Sequence, residues 1–215
     1  MKNIIWDLDG TLVDSQKEIL DILRLAFLDT SVDYSQIIKP LRTGPHLEIM
    51  IKEAFPQDFI SDGKIQDILS FFRQRYINCG FNMTDAYEGI DDIIFDTVNF
   101  THYIVTNKPY EITIKLLEKL GWLEKISSTK APSIDNKHKK SKTEYFHDIL
   151  IESKIDSSSF IGIGDMKTDC LAARDNNILS AGVLWGSGIN EELSDCCDFL
   201  FENVKQLKDF IYNHE

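Results

Sequence analysis

The spacing of apolar residues divides this chain into two kinds of segment. A short run, Asn3-Ile4-Ile5-Trp6, has the density of a strand buried on both faces. From Ser15 to about Ala86 the apolar positions recur at helical spacing. Ile19, Leu20, Ile22, Leu23, Ala26 and Phe27 mark one helical face, and more helix is predicted from Pro45 to Phe55. Ile65, Ile68, Leu69, Phe72 and Tyr76 mark another between Gly63 and Tyr76. No strand-like alternation interrupts this stretch, which predicts an all-helical block.

From Tyr87 onward, helix and strand take turns. A helix with Ile90, Ile93, Ile94 and Val98 precedes the strand Tyr103-Ile104-Val105. Pro109 is placed to open a helix carrying Ile114, Leu117 and Leu120, which stops at Gly121. A helix from Ser141 to Ser153 precedes Phe160-Ile161-Gly162-Ile163, and a helix through Leu171 to Asn177 precedes Ala181-Gly182-Val183-Leu184. This alternation predicts an α/β fold, a Rossmann-like parallel sheet flanked by helices. The first strand needs the later sheet as its partner. Residues 15–86 are therefore expected to be an all-helical insertion into a core made of residues 1–14 and 87–215.

Composition narrows the functional classes. Thirty-five acidic residues against 23 Lys and Arg give a net charge of −12, which argues against broad nucleic-acid or anionic-membrane binding, since both need a positive field. No apolar run approaches the roughly 18 residues of a membrane span. A strand beginning at Asn3 leaves no room for a leader, so a cytoplasmic location is expected. Cys79, Cys170, Cys196 and Cys197 lack paired C-x-x-C spacing, which argues against a zinc site, and the adjacent Cys196 and Cys197 make a poor disulfide framework. Reduced thiols are expected.

In an open parallel sheet, ligands gather at the carboxyl ends of the strands, and each predicted strand here ends in polar residues. The first ends in Asp7-Leu8-Asp9-Gly10-Thr11-Leu12, two carboxylates followed by a glycine that permits a sharp turn. Such a pair can act as nucleophile, metal ligand and proton donor, or can simply face water in an Asp-Gly turn. The next strand ends in Thr106-Asn107-Lys108, where a hydroxyl and backbone N–H groups suit a phosphate oxygen. In isolation Thr106 and Asn107 read as helix caps. The third ends in Gly164-Asp165-Met166-Lys167-Thr168-Asp169, whose two acids can hold a hard divalent cation, or can serve as an N-cap and a first-turn charge. Ser141 and Glu144 have capping-box spacing around Lys142, which fixes that lysine better than Lys137, Lys139 and Lys140 in the neighbouring basic loop.

Taken together, Asp7-Leu8-Asp9-Gly10-Thr11-Leu12, Thr106-Asn107-Lys108, Lys142 and Gly164-Asp165 through Asp169 resemble the motifs of the haloacid dehalogenase (HAD) superfamily. The likeness is to its phosphatases with a helical, C1-type cap. Tyr87-Glu88-Gly89 looks like that family's cap exit. The run from Gly182 to Gly188, followed by Glu191-Glu192-Leu193, is similar to phosphoglycolate phosphatase-like members. One departure is that many relatives carry the motif lysine before a proline, whereas Lys142 precedes Thr143.

The resemblance implies a Mg2+-dependent phosphatase of small phosphorylated metabolites, with 2-phosphoglycolate the first candidate, and no nucleic-acid or membrane partner. Asp7 would be the nucleophile and Asp9 the proton donor and acceptor. The metal would be held by the Asp7 carboxylate, the Asp9 backbone carbonyl and Asp165, with Asp169 orienting a metal-bound water or the lysine. Thr106, the Asn107 amide and Lys142 would receive phosphoryl oxygens. In the insertion, Arg42 of Arg42-Thr43-Gly44-Pro45 can read a substrate carboxylate or second phosphate, or can be an ordinary surface residue. His46 is either a substrate contact or solvent-exposed. Phe71, Phe72, Phe81 and Tyr76 read as core of the insertion. A sugar-phosphate mutase, a pyrophosphatase and a non-catalytic phosphate-binding module are the alternatives, and Thr11-Leu12 favours hydrolysis over the mutase. No short pattern sets a monomer over a dimer.

Overall fold

A computed structural model describes residues 2–41, 46–134 and 140–213. The chain forms β1 (Asn3–Trp6), β2 (Val13–Asp14), α1 (Gln16–Asp29), α2 (Leu47–Ala54), α3 (Asp62–Tyr76), β3 (Asp85–Ala86), α4 (Ile90–Ile94) and β4 (Thr101–Val105). There follow α5 (Tyr110–Leu120), β5 (Ile126–Lys130), α6 (Lys142–Ser153), β6 (Phe160–Gly164), α7 (Lys167–Asp175), β7 (Leu179–Val183), α8 (Asn190–Ser194), β8 (Phe199–Phe201) and α9 (Val204–Asn213). Two compact units result: Ser15–Asp85, and Met1–Asp14 with Ala86–Glu215.

The larger unit is built on a six-stranded sheet of order β5-β4-β1-β6-β7-β8 whose paired strands all run parallel. β1 lies between β4 and β6, which explains why its four residues are all buried. Alternation along the strands divides the core. Ile5, Tyr103, Val105 and Phe160 join Tyr145, Phe146 and Ile149 of α6 and Ala172 and Ala173 of α7 in one cluster. Their neighbours in the strands, Ile4, Trp6, His102 and Ile104, point the other way and are fully buried. Ile4 pairs in register with His102, so Trp6 sits diagonally across from His102, and its indole N–H donates to His102 Nδ1 at 3.1 Å.

Burial pushes the His102 imidazole down to about 4, whereas an unfolded histidine titrates near 6.5. The neutral ring therefore stabilises the fold above about pH 6.5, and this contribution is lost as pH falls toward 4, on the order of 3 kcal/mol at most. His102→Gln is expected to flatten the loss of stability between pH 6.5 and 4 relative to the native chain, as read from urea unfolding at a series of pH values. Equal slopes for both proteins would contradict the assignment.

The smaller unit packs α1 on α3. Ile22, Leu23, Ala26 and Phe27 of α1 and Ile65, Ile68, Leu69 and Phe72 of α3 are buried, and Phe27 meets Phe55 edge-on at 5.5 Å between ring centres. Glu18 and Thr84 are buried together, the threonine hydroxyl donating to the Glu18 carboxylate. Phe72, Phe81 and Tyr76 are core residues of this unit, but Phe71 is 39 % exposed because it lies on the solvent side of α3. His46 is the residue preceding α2.

Several elements depart from the sequence reading. The chain from 15 to 86 is not free of strand: β3 pairs with β2 as a separate two-stranded ribbon. α4 stops at Ile94, leaving Val98 92 % exposed, and α5 buries Ile112, Leu116 and Leu117 rather than Ile114 and Leu120. β5 and β8 are not among the strands the apolar pattern predicts. β5 is Ile-Ser-Ser-Thr-Lys, an edge strand with a single apolar residue, stabilised by pairing with β4 rather than by its own burial pattern. β8 has three residues, and Phe199 and Phe201 pack on Phe210 of α9, a partner outside any local pattern. The Gly121 stop does hold, with φ +71° ending α5.

Candidate active site

β4, β1 and β6 are neighbours in the sheet, and Trp6 stands opposite both Ile104 and Ile163. The residues that follow each of these positions therefore leave the sheet at one rim. Asp7 is still tied to the ladder, its N–H donating to the Ile163 carbonyl at 2.9 Å. The chain then closes tightly: the Leu8 carbonyl accepts from the N–H groups of Leu12 and Val13 at 2.9 and 3.1 Å. Gly10 makes this closure with φ +83°, and a Cβ there would sit 2.3 Å from Asp165 Oδ2. The glycine is required twice over, by backbone conformation and by the approach of a carboxylate.

Lys142 reaches the same rim from the first residue of α6. Its placement follows from the capping box: the Ser141 hydroxyl accepts from the Glu144 N–H at 3.2 Å, and Glu144 Oε2 accepts from the Ser141 N–H at 2.7 Å. The Lys142 ammonium lies 2.9 Å from Asp7 Oδ1 and 2.5 Å from Asp169 Oδ1. The other oxygen of Asp169 accepts from the Met166 N–H at 3.1 Å, which anchors it at the start of α7. Asp165 is fully buried and accepts from the Ser187 N–H at 2.7 Å and the Thr11 hydroxyl at 3.5 Å.

Thr106 is 2 % exposed and its hydroxyl accepts from the Lys108 N–H at 3.2 Å, while Asn107 is half-buried. The Asp9 carboxylate does not join the other acids. It pairs with the buried Lys108 at 2.9 Å. Sequence reasoning assigned Lys108 no role, because a lysine after a strand-end hydroxyl becomes legible only once β4 is known to lie beside β1. The Ser187 N–H was missed too, since backbone donors leave no mark in side-chain identity. Arg42 lies outside the described residues.

One ammonium faces three buried carboxylates. Burial lifts Asp7 well above the usual carboxylate range despite Lys142, with Asp169 and Asp165 adding to the rise. Burial and the Asp169 charge bring Asp165 up to about 6. Burial disfavours the charged form of Lys142, yet Asp169 and Asp7 outweigh it and hold the lysine above its ordinary value. The cluster is therefore short of positive charge. Oxygens of Asp7, Asp165 and Asp169 lie within 4.8 Å of one another, an all-oxygen donor set that fits a hard divalent cation such as Mg2+.

This imbalance has a measurable cost. Without metal, Asp165→Asn is expected to stabilise the protein at pH 7–8 by up to roughly 3 kcal/mol, because its folded-state value near 6 exceeds the unfolded value near 3.9. The native carboxyl recovers stability as pH falls from 6 toward 4, so the gain of the variant should vanish there. The stabilisation by added Mg2+ should disappear in the variant. Thermal unfolding with and without Mg2+ checks both, and a destabilised variant at pH 8 would contradict the charge imbalance.

Comparison with known proteins bears on this arrangement. The sequence matches the profile of the haloacid dehalogenase-like hydrolase family over residues 4–183. It is 23% identical over 194 residues to a 5'-nucleotidase of Pseudomonas aeruginosa, covering 89% of this chain and 86% of the relative. It is 24% identical over 218 residues to a phosphoglycolate phosphatase of Colwellia psychrerythraea, covering 95% and 96%. Among solved structures, a haloacid dehalogenase-like family hydrolase from Streptococcus pneumoniae shares the fold with a TM-score of 0.77 at 22% identity, over 98% of each chain. With a family match that runs from β1 and the aspartate loop after it to the end of β7, the chain belongs to the haloacid dehalogenase-like hydrolase family.

Proposed function

We propose that this protein is a Mg2+-dependent phosphatase that hydrolyses small phosphorylated metabolites through an aspartyl-phosphate. The observation that carries the reading is the meeting of Asp7, Asp165, Asp169 and Lys142 in one buried, charge-deficient cluster. In this reading residues 1–14 and 87–215 form the catalytic core and residues 15–86 an inserted cap domain.

Asp7 attacks phosphorus and becomes phosphorylated as the alkoxide leaves. Asp9 protonates that alkoxide and then takes a proton from the water that hydrolyses the acyl-phosphate. Its pairing with Lys108 at 2.9 Å supports a fixed orientation for both steps. Thr106, the Asn107 amide and Lys142 receive the phosphoryl oxygens, whose charge dominates the transition state. Asp169 orients Lys142, in keeping with their 2.5 Å contact. The Asp7 carboxylate, the Asp9 backbone carbonyl and Asp165 would hold Mg2+. When bound, the ion supplies the positive charge that lets a carboxylate approach a phosphate dianion. Arg42 is proposed as a substrate-reading residue.

Relatives named for phosphoglycolate and for nucleotides support a monoester substrate and leave its organic part open. A panel that includes 2-phosphoglycolate, nucleoside monophosphates and an aryl phosphate, compared by kcat/KM with and without Mg2+, tests the proposal. Mg2+-dependent phosphate release from at least one is expected. Silence on all, with or without metal, would favour a phosphate-binding module.

A further inference from the structure

Three of the four cysteines meet in a second group, whose Cys170 directly follows Asp169 in α7. Cys170 lies on α7, while Cys196 and Cys197 follow α8, where both N–H groups donate to the Leu193 carbonyl at 3.1 and 2.9 Å. One sulfur from each lies within 4.8 Å of the other two. Spacing rules missed the group because Cys170 belongs to a different helix, and only the β7–β8 pairing returns the chain to it.

The surroundings make room for the sulfurs. Gly182 on β7 lies beneath them: a Cβ there would stand 3.0 Å from Cys197 Sγ and 2.8 Å from Leu200 Cδ2. Cys170 is buried and its sulfur is 4.0 Å from the Ser180 hydroxyl. That hydroxyl and the Ser180 N–H both donate to Asp198 Oδ2 at 2.8 Å, which fixes a carboxylate next in sequence to Cys197. Cys196 and Cys197 are half-buried.

The geometry suits an ion better than a disulfide. Metal–sulfur bonds of about 2.3 Å place tetrahedral sulfur ligands ~3.8 Å apart, a spacing inside the 4.8 Å within which the three sulfurs lie. A disulfide would use two of the three sulfurs, and adjacent cysteines meet its geometric limits poorly. The two clusters also differ in chemical kind: oxygens at the strand ends suit hard cations, sulfurs suit soft ones.

We propose that Cys170, Cys196 and Cys197 form a second ion site that binds one thiophilic d10 cation, such as Zn2+, Cd2+ or Cu+, as a trithiolate. Each thiol gives up its proton to solvent as its metal–sulfur bond forms, so three protons leave per ion bound. The site stands independently of the phosphatase reading.

The test is titration of the reduced, full-length protein with Cd2+, followed by the ultraviolet thiolate-to-cadmium absorption, which carboxylates do not produce. One ion per chain is expected, undisturbed by a large excess of Mg2+. Cys197→Ser and Cys196→Ser should each weaken binding by about tenfold or more, Gly182→Ala should weaken it as well, and Cys79→Ser should leave it unchanged. Cys196 and Cys197 are half-buried, so their variants keep the fold, which circular dichroism verifies. Absence of the absorption in the native chain would overturn the proposal, as would undiminished absorption in the Cys196→Ser, Cys197→Ser double variant.

Discussion

Asp7→Asn is expected to lower phosphate release by at least about 1,000-fold while leaving the protein folded and, without metal, more stable. The loss follows from removing the proposed nucleophile: an amide of the same shape cannot form the acyl-phosphate, and groups acting as a unit fail together. The gain in stability follows from electrostatics. Asp7 is buried beside Asp169 and Asp165, and its carboxyl sits well above the usual range even with Lys142 at 2.9 Å. Neutralising it relieves repulsion among the remaining acids. A single residue should thus move activity and stability in opposite directions. Steady-state phosphate assays and thermal unfolding on one preparation check both. Retained activity would exclude covalent catalysis at this carboxylate.

Lys142→Met is expected to produce the reverse pattern in stability and a comparable failure in function. The Lys142 side chain is 5 % exposed and bridges Asp7 and Asp169. Removing it leaves buried carboxylates without a counter-charge, a change that typically costs about 3–5 kcal/mol. Catalysis should fall by about 100-fold or more, since the donor proposed to meet developing phosphoryl charge is lost. The sign with pH is specific. The stranded carboxylates favour protonation in the folded state, so the variant should regain stability as pH falls from 8 toward 5. Added Mg2+ should restore part of the stability at pH 8. Urea unfolding across pH, with and without Mg2+, measures both effects. A variant as stable as the native chain at pH 8 would mean that the ammonium is not the group balancing the cluster.

The members of the cluster are legible where local patterns carry them. Asp7, Asp9 and Gly10 directly follow a buried strand, and the turn they need is visible in the residue types themselves. Lys142 was legible because Ser141 and Glu144 announce the helix start that fixes it. Asp165 directly follows the apolar strand β6, and Asp169 falls in the first turn of α7. What the sequence hid depends on residues far apart in the chain. Lys108 acquires its partner Asp9 only through the β1–β4 pairing, and the Ser187 N–H reaches Asp165 from the loop after β7. β5 is a strand through its neighbour and not through its composition. The meeting of three thiols is invisible to spacing, which describes ligands in one loop and is blind to a helix meeting a distant turn.

The most direct measurement of the central claim is where the phosphoryl group resides during turnover. Asp9→Asn protein, mixed with Mg2+ and a hydrolysable phosphomonoester and quenched in acid, should carry one phosphoryl group on the peptide containing Asp7, as read by mass spectrometry. Hydrolysis that proceeds with no such adduct, or an adduct on another residue, would contradict the assignment of this carboxylate cluster as the phosphatase centre.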